Sequence, residues 1–230
     1  MKFGKWLGVV LVGLGCGYTA HAQAGVYVGY SATRMSGITC FTPQSVNPQE
    51  SCYNSNASAT TSPNNHVDPS GFTLGAYYDF LNVGLVKLGV DLRYSDNHAN
   101  KAATSLAGGK DTTGAHSVLA GVRGSVHTPI RWLRPYAQIS VGWANSNVTE
   151  PFGTPSLLTT SVVPPRLYDN FLEYEAFVGA DVRISPFVDI RAIELGIGNM
   201  NRTGDGTAGT TSSVGLRSIG GGLVFHLPSK

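Results

Sequence analysis

Acidic and arginine side chains recur at every second position along several apolar segments of this 230-residue chain. The stretch EYEAFVGADVRISPFVDIRA, from 173 to 192, shows the pattern most clearly. Side chains with this spacing share one face of a β-strand, where acids and bases could form ion pairs. In a soluble sheet the charged face meets water, whereas in a membrane barrel it lines the lumen. The alternation alone does not choose between the two.

Nucleophilic and metal-binding chemistry has weaker support. His116 and Ser117 begin one of the apolar segments. In a membrane barrel they would lie near the outer leaflet, where a lipid-modifying enzyme would act, but adjacent side chains of a strand point to opposite faces. Ser125 and His127 share a face at the other end of the same segment. The six histidines are scattered, and the glycine-rich GIGNMNRTGDG lacks the ending of a phosphate-binding loop. We therefore predict no catalytic residues, no cofactor and no metal.

Eight segments with period-two apolar spacing follow one another, and helical periodicity is nowhere convincing. They are AGVYVGYSATRM, SGFTLGAYYDF, VGLVKLGVDLRYS, HSVLAGVRGSVH, RPYAQISVGWA, a segment from about 171 to 183, a segment from about 187 to 198, and VGLRSIGGGLVFHL. Strands of about ten residues are long for a soluble sheet but suit a tilted crossing of an outer membrane.

Short and long connections alternate between these segments, and the long ones are rich in Asn, Ser, Thr, Gly and Pro. In an up-and-down barrel this places every short turn at one end and every long loop at the other, as in bacterial outer-membrane barrels. Aromatic residues near the segment ends predict two interfacial belts. The belts are Phe80, Trp132, Phe187 and Phe225 at the short-turn end, and Phe72, Tyr94, Trp143 and Phe171 at the loop end.

The first 22 residues predict a cleaved signal peptide. Lys2 and Lys5 precede an apolar run that ends at Ala20-His21-Ala22, a small-x-small cleavage site. A short membrane anchor is one alternative, although the run is shorter than a spanning helix needs, and a lipoprotein signal at Cys16 is another. The barrel domain would then occupy 23–230.

The mature chain keeps two cysteines, Cys40 and Cys52. An even pair in an exported protein predicts a disulfide, with two free thiols as the alternative. The net charge of +2 and the absence of any Lys/Arg run argue against nucleic-acid binding. No stretch of the mature sequence has the length of an apolar transmembrane helix, so a membrane-spanning form would have to be a barrel.

The segments GVYVGYS, LRPYAQISVGWA and GADVRISPFVDIRAIELGIG resemble the OmpA-like, opacity-type outer-membrane barrels. The resemblance implies an all-β fold, an eight-stranded antiparallel up-and-down transmembrane barrel preceded by a cleavable signal peptide. It also implies an insertion signal for the outer-membrane insertion machinery. The matching residues are Ser218, Gly220, Leu223 and Phe225, although the chain continues beyond the last aromatic residue.

In such a barrel the charged faces would fill a narrow lumen and pair with one another. The predicted lumen residues are Asp79, Lys87, Asp91, Arg93, Arg123, Glu173, Glu175, Asp181, Arg183, Asp189, Arg191 and Glu194. Glu194 differs in parity from Asp189 and Arg191. We therefore predict a β-bulge near Ala192-Ile193 that returns Glu194 to the lumen.

These observations predict a bacterial outer-membrane protein with an envelope-structural or surface-interaction role, and not an enzyme. Its expected partners are outer-membrane lipid, lipopolysaccharide and the insertion machinery, with an unidentified loop ligand and a monomeric state. A narrow ion channel and a lipid A-modifying enzyme are alternatives. A soluble, lipocalin-like periplasmic barrel is a further one, and it would require the apolar faces to point inward.

Overall fold

The computed structural model describes residues 23–40, 50–51, 60–61, 66–99, 114–126, 128–130, 132–148, 168–204 and 213–227. The long strands are β1 Gln23–Ser36, β2 Ser70–Val83, β3 Val86–His98, β4 Gly114–Val126, β5 Leu133–Ser146, β6 Asp169–Arg183, β7 Val188–Arg202 and β8 Ser213–His226. Four two-residue strands lie between β1 and β2: Thr39–Cys40, Glu50–Ser51, Thr60–Thr61 and His66–Val67. No helix in the described ranges has the length and apolarity to cross a membrane.

Each long strand pairs antiparallel with the next one in the chain, and β8 pairs with β1 to close the sheet. The predicted eight-stranded up-and-down barrel is therefore confirmed. The turns β2–β3, β4–β5 and β6–β7 lie at one end, called the turn end, and the strand ends that the four longer connections join lie at the other, called the loop end. Gly84 occupies the two-residue β2–β3 turn with a φ of 63°, a conformation that glycine adopts without a steric penalty.

The outer face of the barrel is apolar and the inner face is polar. Ile139, Ile197 and Val122 are 73%, 63% and 61% exposed, whereas Asp189 and Asp181 are 0% and 1% exposed. This arrangement is the reverse of a soluble barrel, in which the apolar faces would point inward. The lipocalin-like alternative is therefore wrong, because it requires the apolar side chains to point inward.

A β-bulge interrupts β7 at the predicted place. Arg191 pairs with Gly222 and Glu194 with Gly220, so two residues of β7 lie opposite one residue of β8. The pairing with β6 shifts at the same level. Because Ala192 and Ile193 both lie on the outer face, Arg191 and Glu194 both point inward, and the predicted bulge is confirmed. A second register shift lies at Phe80 in β2, near the turn end.

Candidate functional site

The barrel interior contains a continuous series of five charged side chains that runs from the middle of the strands towards the turn end. Arg93 donates two hydrogen bonds to Glu194, at 2.8 and 2.7 Å. Arg191 donates to Glu194 and to Asp181, both at 3.0 Å, and Arg123 donates to Asp181 at 2.9 Å. All five are at most 8% exposed. The bidentate geometry and the sharing of both carboxylates compensate the cost of removing these charges from water.

Aromatic rings flank each of the three arginines in this group of charged side chains. Arg93 lies 3.8 Å from the centroid of Phe177 and 5.6 Å from Tyr27; Arg123 lies 3.9 Å from Tyr77 and 4.5 Å from Tyr136; Arg191 lies 4.3 Å from Tyr27 and 4.6 Å from Tyr136. A guanidinium is attracted to the face of an aromatic ring, most strongly where water is excluded. The rings therefore hold the arginines in place and fill the bore of the barrel.

The aromatic and amide groups also satisfy neighbouring carboxylates. The Tyr136 hydroxyl donates to Glu194 Oε2 at 2.5 Å. Asp91 Oδ1 accepts hydrogen bonds from the Tyr27 hydroxyl at 3.0 Å and from Gln138 Nε2 at 2.6 Å. Asp91 is 4% exposed. The central part of the lumen is thus a dense network and leaves no wide path along the barrel axis.

A second polar cluster closes the turn end. His226 Nε2 lies 2.7 Å from Asp189 Oδ2, and its Nδ1 lies 2.8 Å from Gln23 Nε2 and 3.0 Å from the Tyr77 hydroxyl. Arg134 Nη1 donates to Asp189 Oδ2 at 3.4 Å. His226, Gln23 and Arg134 were not among the predicted lumen residues. The alternation of inward and outward residues could have identified His226, because it has the same inward parity as the buried Val224.

The charged residues Asp79, Lys87 and Asp189 of this cluster were among the predicted lumen residues. Asp79 is 5% exposed, and Lys87, which is half-buried, donates to Gln23 Oε1 at 3.2 Å. A cavity of about 20 Å³ lies among these side chains. That volume is comparable to one water molecule.

Glu173 and Glu175 lie in a small chamber on the loop-end side of the arginine network. They are 4% and 7% exposed. The chamber has a volume of about 30 Å³, and hydroxyl groups of Ser31, Thr73 and Ser117 line part of it. Within the described ranges neither carboxylate forms an ion pair with an arginine. The expectation that every lumen acid pairs with a base therefore does not hold for these two, nor for Asp79 and Asp91, for which the described residues show no ion pair within 4.0 Å.

An apolar layer closes the loop end of the lumen. It comprises Met35, Ile38, Val67, Ala99, Ala115, Ala144, Val148, Phe171, Met200, Val214 and Leu216, which we call the apolar cap. Every member is at most 5% exposed. The prediction that Phe171 belongs to the loop-end aromatic belt is wrong, because Phe171 has the inward parity of Glu173 and is 0% exposed. The other seven predicted belt residues are 36–57% exposed on the outside.

Arg183 is the predicted lumen residue that the structure places elsewhere. It is the last residue of β6, is exposed beyond the barrel rim, and donates from Nε to the Ser185 carbonyl at 3.4 Å. Its parity is inward and it pairs with Asp189, but at the end of β6 its side chain is exposed to solvent. Lumen lining therefore requires both inward parity and a position within the barrel.

His116 and Ser117 point to opposite sides of β4, with Ser117 5% exposed in the lumen and the His116 side chain 36% exposed outside. They cannot form a nucleophile and base pair in this geometry. In the proposed insertion signal, Leu223 and Phe225 are 41% and 40% exposed on the outer face. Ser218 and Gly220 border the chamber. Cys52, His127 and residues 1–22 lie outside the described residues, so the disulfide and the signal peptide stay predictions.

No family model and no curated protein match the sequence. The chain is similar to the structure of Ail, the attachment invasion locus protein of Yersinia pestis, in complex with the heparin analogue sucrose octasulfate. The TM-score is 0.47 and the identity 14%, over 90% of this chain and 99% of that chain. Neisserial surface protein A gives a TM-score of 0.46 at 11% identity, over 90% of this chain and 97% of that chain.

The N-terminal β-barrel domain of Pseudomonas aeruginosa OprF gives a TM-score of 0.39 at 16% identity, over 90% of this chain and 99% of that chain. These neighbours are eight-stranded outer-membrane barrels, the class that the sequence resembles. At identities this low, the fold assignment rests on the strand pairing of the chain itself.

Proposed function

We propose that this chain is a bacterial outer-membrane barrel that acts in envelope structure or surface interactions through its four longer connections, with a lumen closed to solutes. The observation that carries this proposal is the apolar outer face wrapped around a filled, charged interior. A barrel of this kind leaves no backbone group unpaired in lipid, because every strand has two neighbours. Its function then resides at the loop end, since loops on a rigid scaffold commonly carry binding sites.

The outer face has the composition that lipid requires. Large apolar side chains are exposed on every strand, including Val28, Leu92, Val141, Val178 and Leu195 at 44–56% exposure. A continuous apolar surface of this extent on a water-soluble monomer would be a site of aggregation. Exposed Trp132 and Phe187 lie near the turn end, and exposed Phe72 and Trp143 lie towards the loop end. Aromatic side chains at both margins suit the two membrane interfaces.

The interior argues against a solute pore. The turn-end cluster, the arginine network and the apolar cap close the bore at three levels, and the cavities among the described side chains measure about 10, 20 and 30 Å³. An eight-stranded barrel has only enough width for its own side chains. We expect single-channel recordings in planar bilayers to show no steady conductance. Stable open levels in the purified wild-type protein would favour the narrow-channel alternative instead.

Export completes the proposal. Residues 1–22 would direct secretion, and the last strand would be taken up by the insertion machinery through Ser218, Gly220, Leu223 and Phe225. The mature barrel would then contact outer-membrane lipid and lipopolysaccharide as a monomer. Because the side chains of His116 and Ser117 lie on opposite faces of β4, they do not form a catalytic pair, and this supports a role without catalysis.

Cell fractionation followed by gel electrophoresis tests the location. We expect the full chain in the outer-membrane fraction, with an unheated sample migrating differently from a heated one because the closed barrel resists detergent. The matched control lacks residues 1–22 and should stay inside the cell. A full chain that is soluble without detergent, and whose mobility does not change on heating, would refute the proposal.

Trypsin treatment of intact cells tests the orientation. Lys101 and Lys110 lie in the connection between β3 and β4, at the loop end. Lys87 lies at the turn end and is half-buried. We expect cleavage after Lys101 or Lys110 in intact cells and none after Lys87. Cleavage only after the cells are opened would place the loops on the inner side and contradict a surface role.

A further inference from the structure

Three potential metal ligands meet on the outside of the barrel at the loop end. They are Asp96 and His98, two residues apart on β3, and His116 on β4, which pairs directly with Asp96. The shared face and the pairing bring one oxygen and two nitrogen atoms within 4.8 Å of one another. Tyr94, on the same face of β3, contacts Phe72 with ring centroids 5.8 Å apart and ring planes tilted by 49°. Asp96 lies opposite Phe72 in the strand register, so Asp96 and His116 lie level with this outer aromatic residue and His98 lies closer to the loops.

The two imidazoles converge on one carboxylate oxygen. His98 Nε2 lies 2.5 Å and His116 Nδ1 lies 3.1 Å from Asp96 Oδ1. The same oxygen is shielded from solvent and accepts no hydrogen bond of ordinary geometry. In a tetrahedral site with bonds of about 2.0–2.1 Å, neighbouring ligand atoms are about 3.3 Å apart. Small side-chain rotations would bring all three atoms to that spacing.

The surroundings keep the cluster in place and leave it accessible. A Cβ atom at Gly114 would fall 2.6 Å from His98 Nδ1, so the imidazole occupies space that only glycine leaves open. The same position is 3.3 Å from the Tyr168 hydroxyl, and the Tyr168 ring lies 6.1 Å from the His116 ring. The side chains of His98 and His116 are 39% and 36% exposed. A bound ion would therefore keep a position open to water.

We propose that Asp96, His98 and His116 bind a transition-metal ion of the Zn²⁺ class at the cell-surface rim of the barrel. Two imidazoles and one carboxylate favour Zn²⁺, Ni²⁺ or Cu²⁺ over Ca²⁺ and Mg²⁺, which prefer sites made of oxygen atoms alone. This site replaces the expectation that the chain has no metal ligands. It does not depend on what the longer connections bind.

Titration of the folded, untagged full chain in detergent with ZnCl₂ tests the proposal. We expect one Zn²⁺ per barrel in the presence of millimolar Ca²⁺ and Mg²⁺. His98→Ala, His116→Ala and Asp96→Asn should each weaken this binding at least tenfold, by loss of a ligand. Gly114→Ala should weaken it as well, because the added methyl group displaces His98. X-ray absorption of the loaded protein should report two imidazole ligands.

His66→Ala is the matched control. His66 also lies at the loop end with its Nε2 3.8 Å from a carboxylate of Asp68, but among the described residues no second histidine joins that pair. Zn²⁺ affinity should be unchanged in this variant, and heat-dependent gel mobility should show that every variant is folded. Binding that is absent in the wild type would refute the site. Binding that persists in all three ligand variants, as at a thiol pair, would refute it too.

Discussion

At the scale of single residues, Glu194 connects the lumen network. Its carboxylate binds Arg93 through two hydrogen bonds and Arg191 through one, and it also accepts a hydrogen bond from Tyr136. Removing one partner of a buried ion pair leaves uncompensated charge, which costs about 3–5 kcal/mol. We expect Glu194→Ala to lower the free energy of unfolding by about this amount, measured by urea titration in detergent with tryptophan fluorescence.

Arg183→Ala is the control for this measurement, because it removes a charge from the same barrel at an exposed position. Surface substitutions usually change stability by less than about 0.5 kcal/mol. Equal, small effects of the two substitutions would show that the network fills space without stabilising the fold.

Sequence parity identified most of the lumen charges because lipid on one side and packing on the other enforce alternation. It failed where one of the two constraints ends. Arg183 has the correct parity but is exposed at the rim, and His226 lies inside although it was not among the predicted lumen residues. Phe171 was assigned by residue type to the membrane interface, whereas its parity with Glu173 placed it in the apolar cap.

At the scale of single strands, the bulge in β7 makes a deletion experiment informative. Removing Ala192 would leave Ile193 facing outward between two inward residues, so Arg191 and Glu194 would keep their partners in a regular strand. Removing Gly196 shortens the strand equally but reverses the parity of the residues on one side of the cut. We expect ΔAla192 to fold, and ΔGly196 to fail, when each is refolded into detergent and examined by heat-dependent gel mobility.

Failure of both deletions to the same degree would mean that strand length, and not parity, limits folding. The sequence predicted this bulge because a single acid, Glu194, broke the pattern inside a charged stretch. It did not predict the bulge at Phe80, where Phe80 and Leu81 are both apolar and outward. An irregularity among residues of one type leaves no trace in the alternation.

Strand ends were the other weak point. The third segment was predicted to end at Ser95, whereas β3 continues to His98. Beyond the membrane interface the outer face no longer has to be apolar, so polar residues interrupt the pattern while backbone pairing continues. The metal ligands were overlooked for this reason. Only the register, in which Asp96 pairs with His116, brings histidines 98 and 116 together.

At the scale of the whole molecule, the proposal rests on lipid as the solvent of the outer face, and a charge placed at two depths can test this. Ile139 lies at the middle of β5 and is 73% exposed, whereas Val126 ends β4 at the turn end and is 40% exposed. An arginine facing lipid costs about 2–4 kcal/mol at the bilayer midplane and about 0–1 kcal/mol near the interface. We therefore expect Ile139→Arg to destabilise the barrel in lipid vesicles by the larger amount.

The measurement is the unfolding free energy in phospholipid vesicles, with the exposed Trp143 as the fluorescent reporter. Val126→Arg should cost about 1 kcal/mol or less, since its side chain can reach the interface. In water an exposed isoleucine gains nothing from its environment, so a soluble barrel would tolerate both substitutions equally. Two small and equal losses of stability would therefore contradict the proposal that the outer face contacts lipid. A much larger loss for Ile139→Arg than for Val126→Arg would place the middle of β5 at the centre of a bilayer.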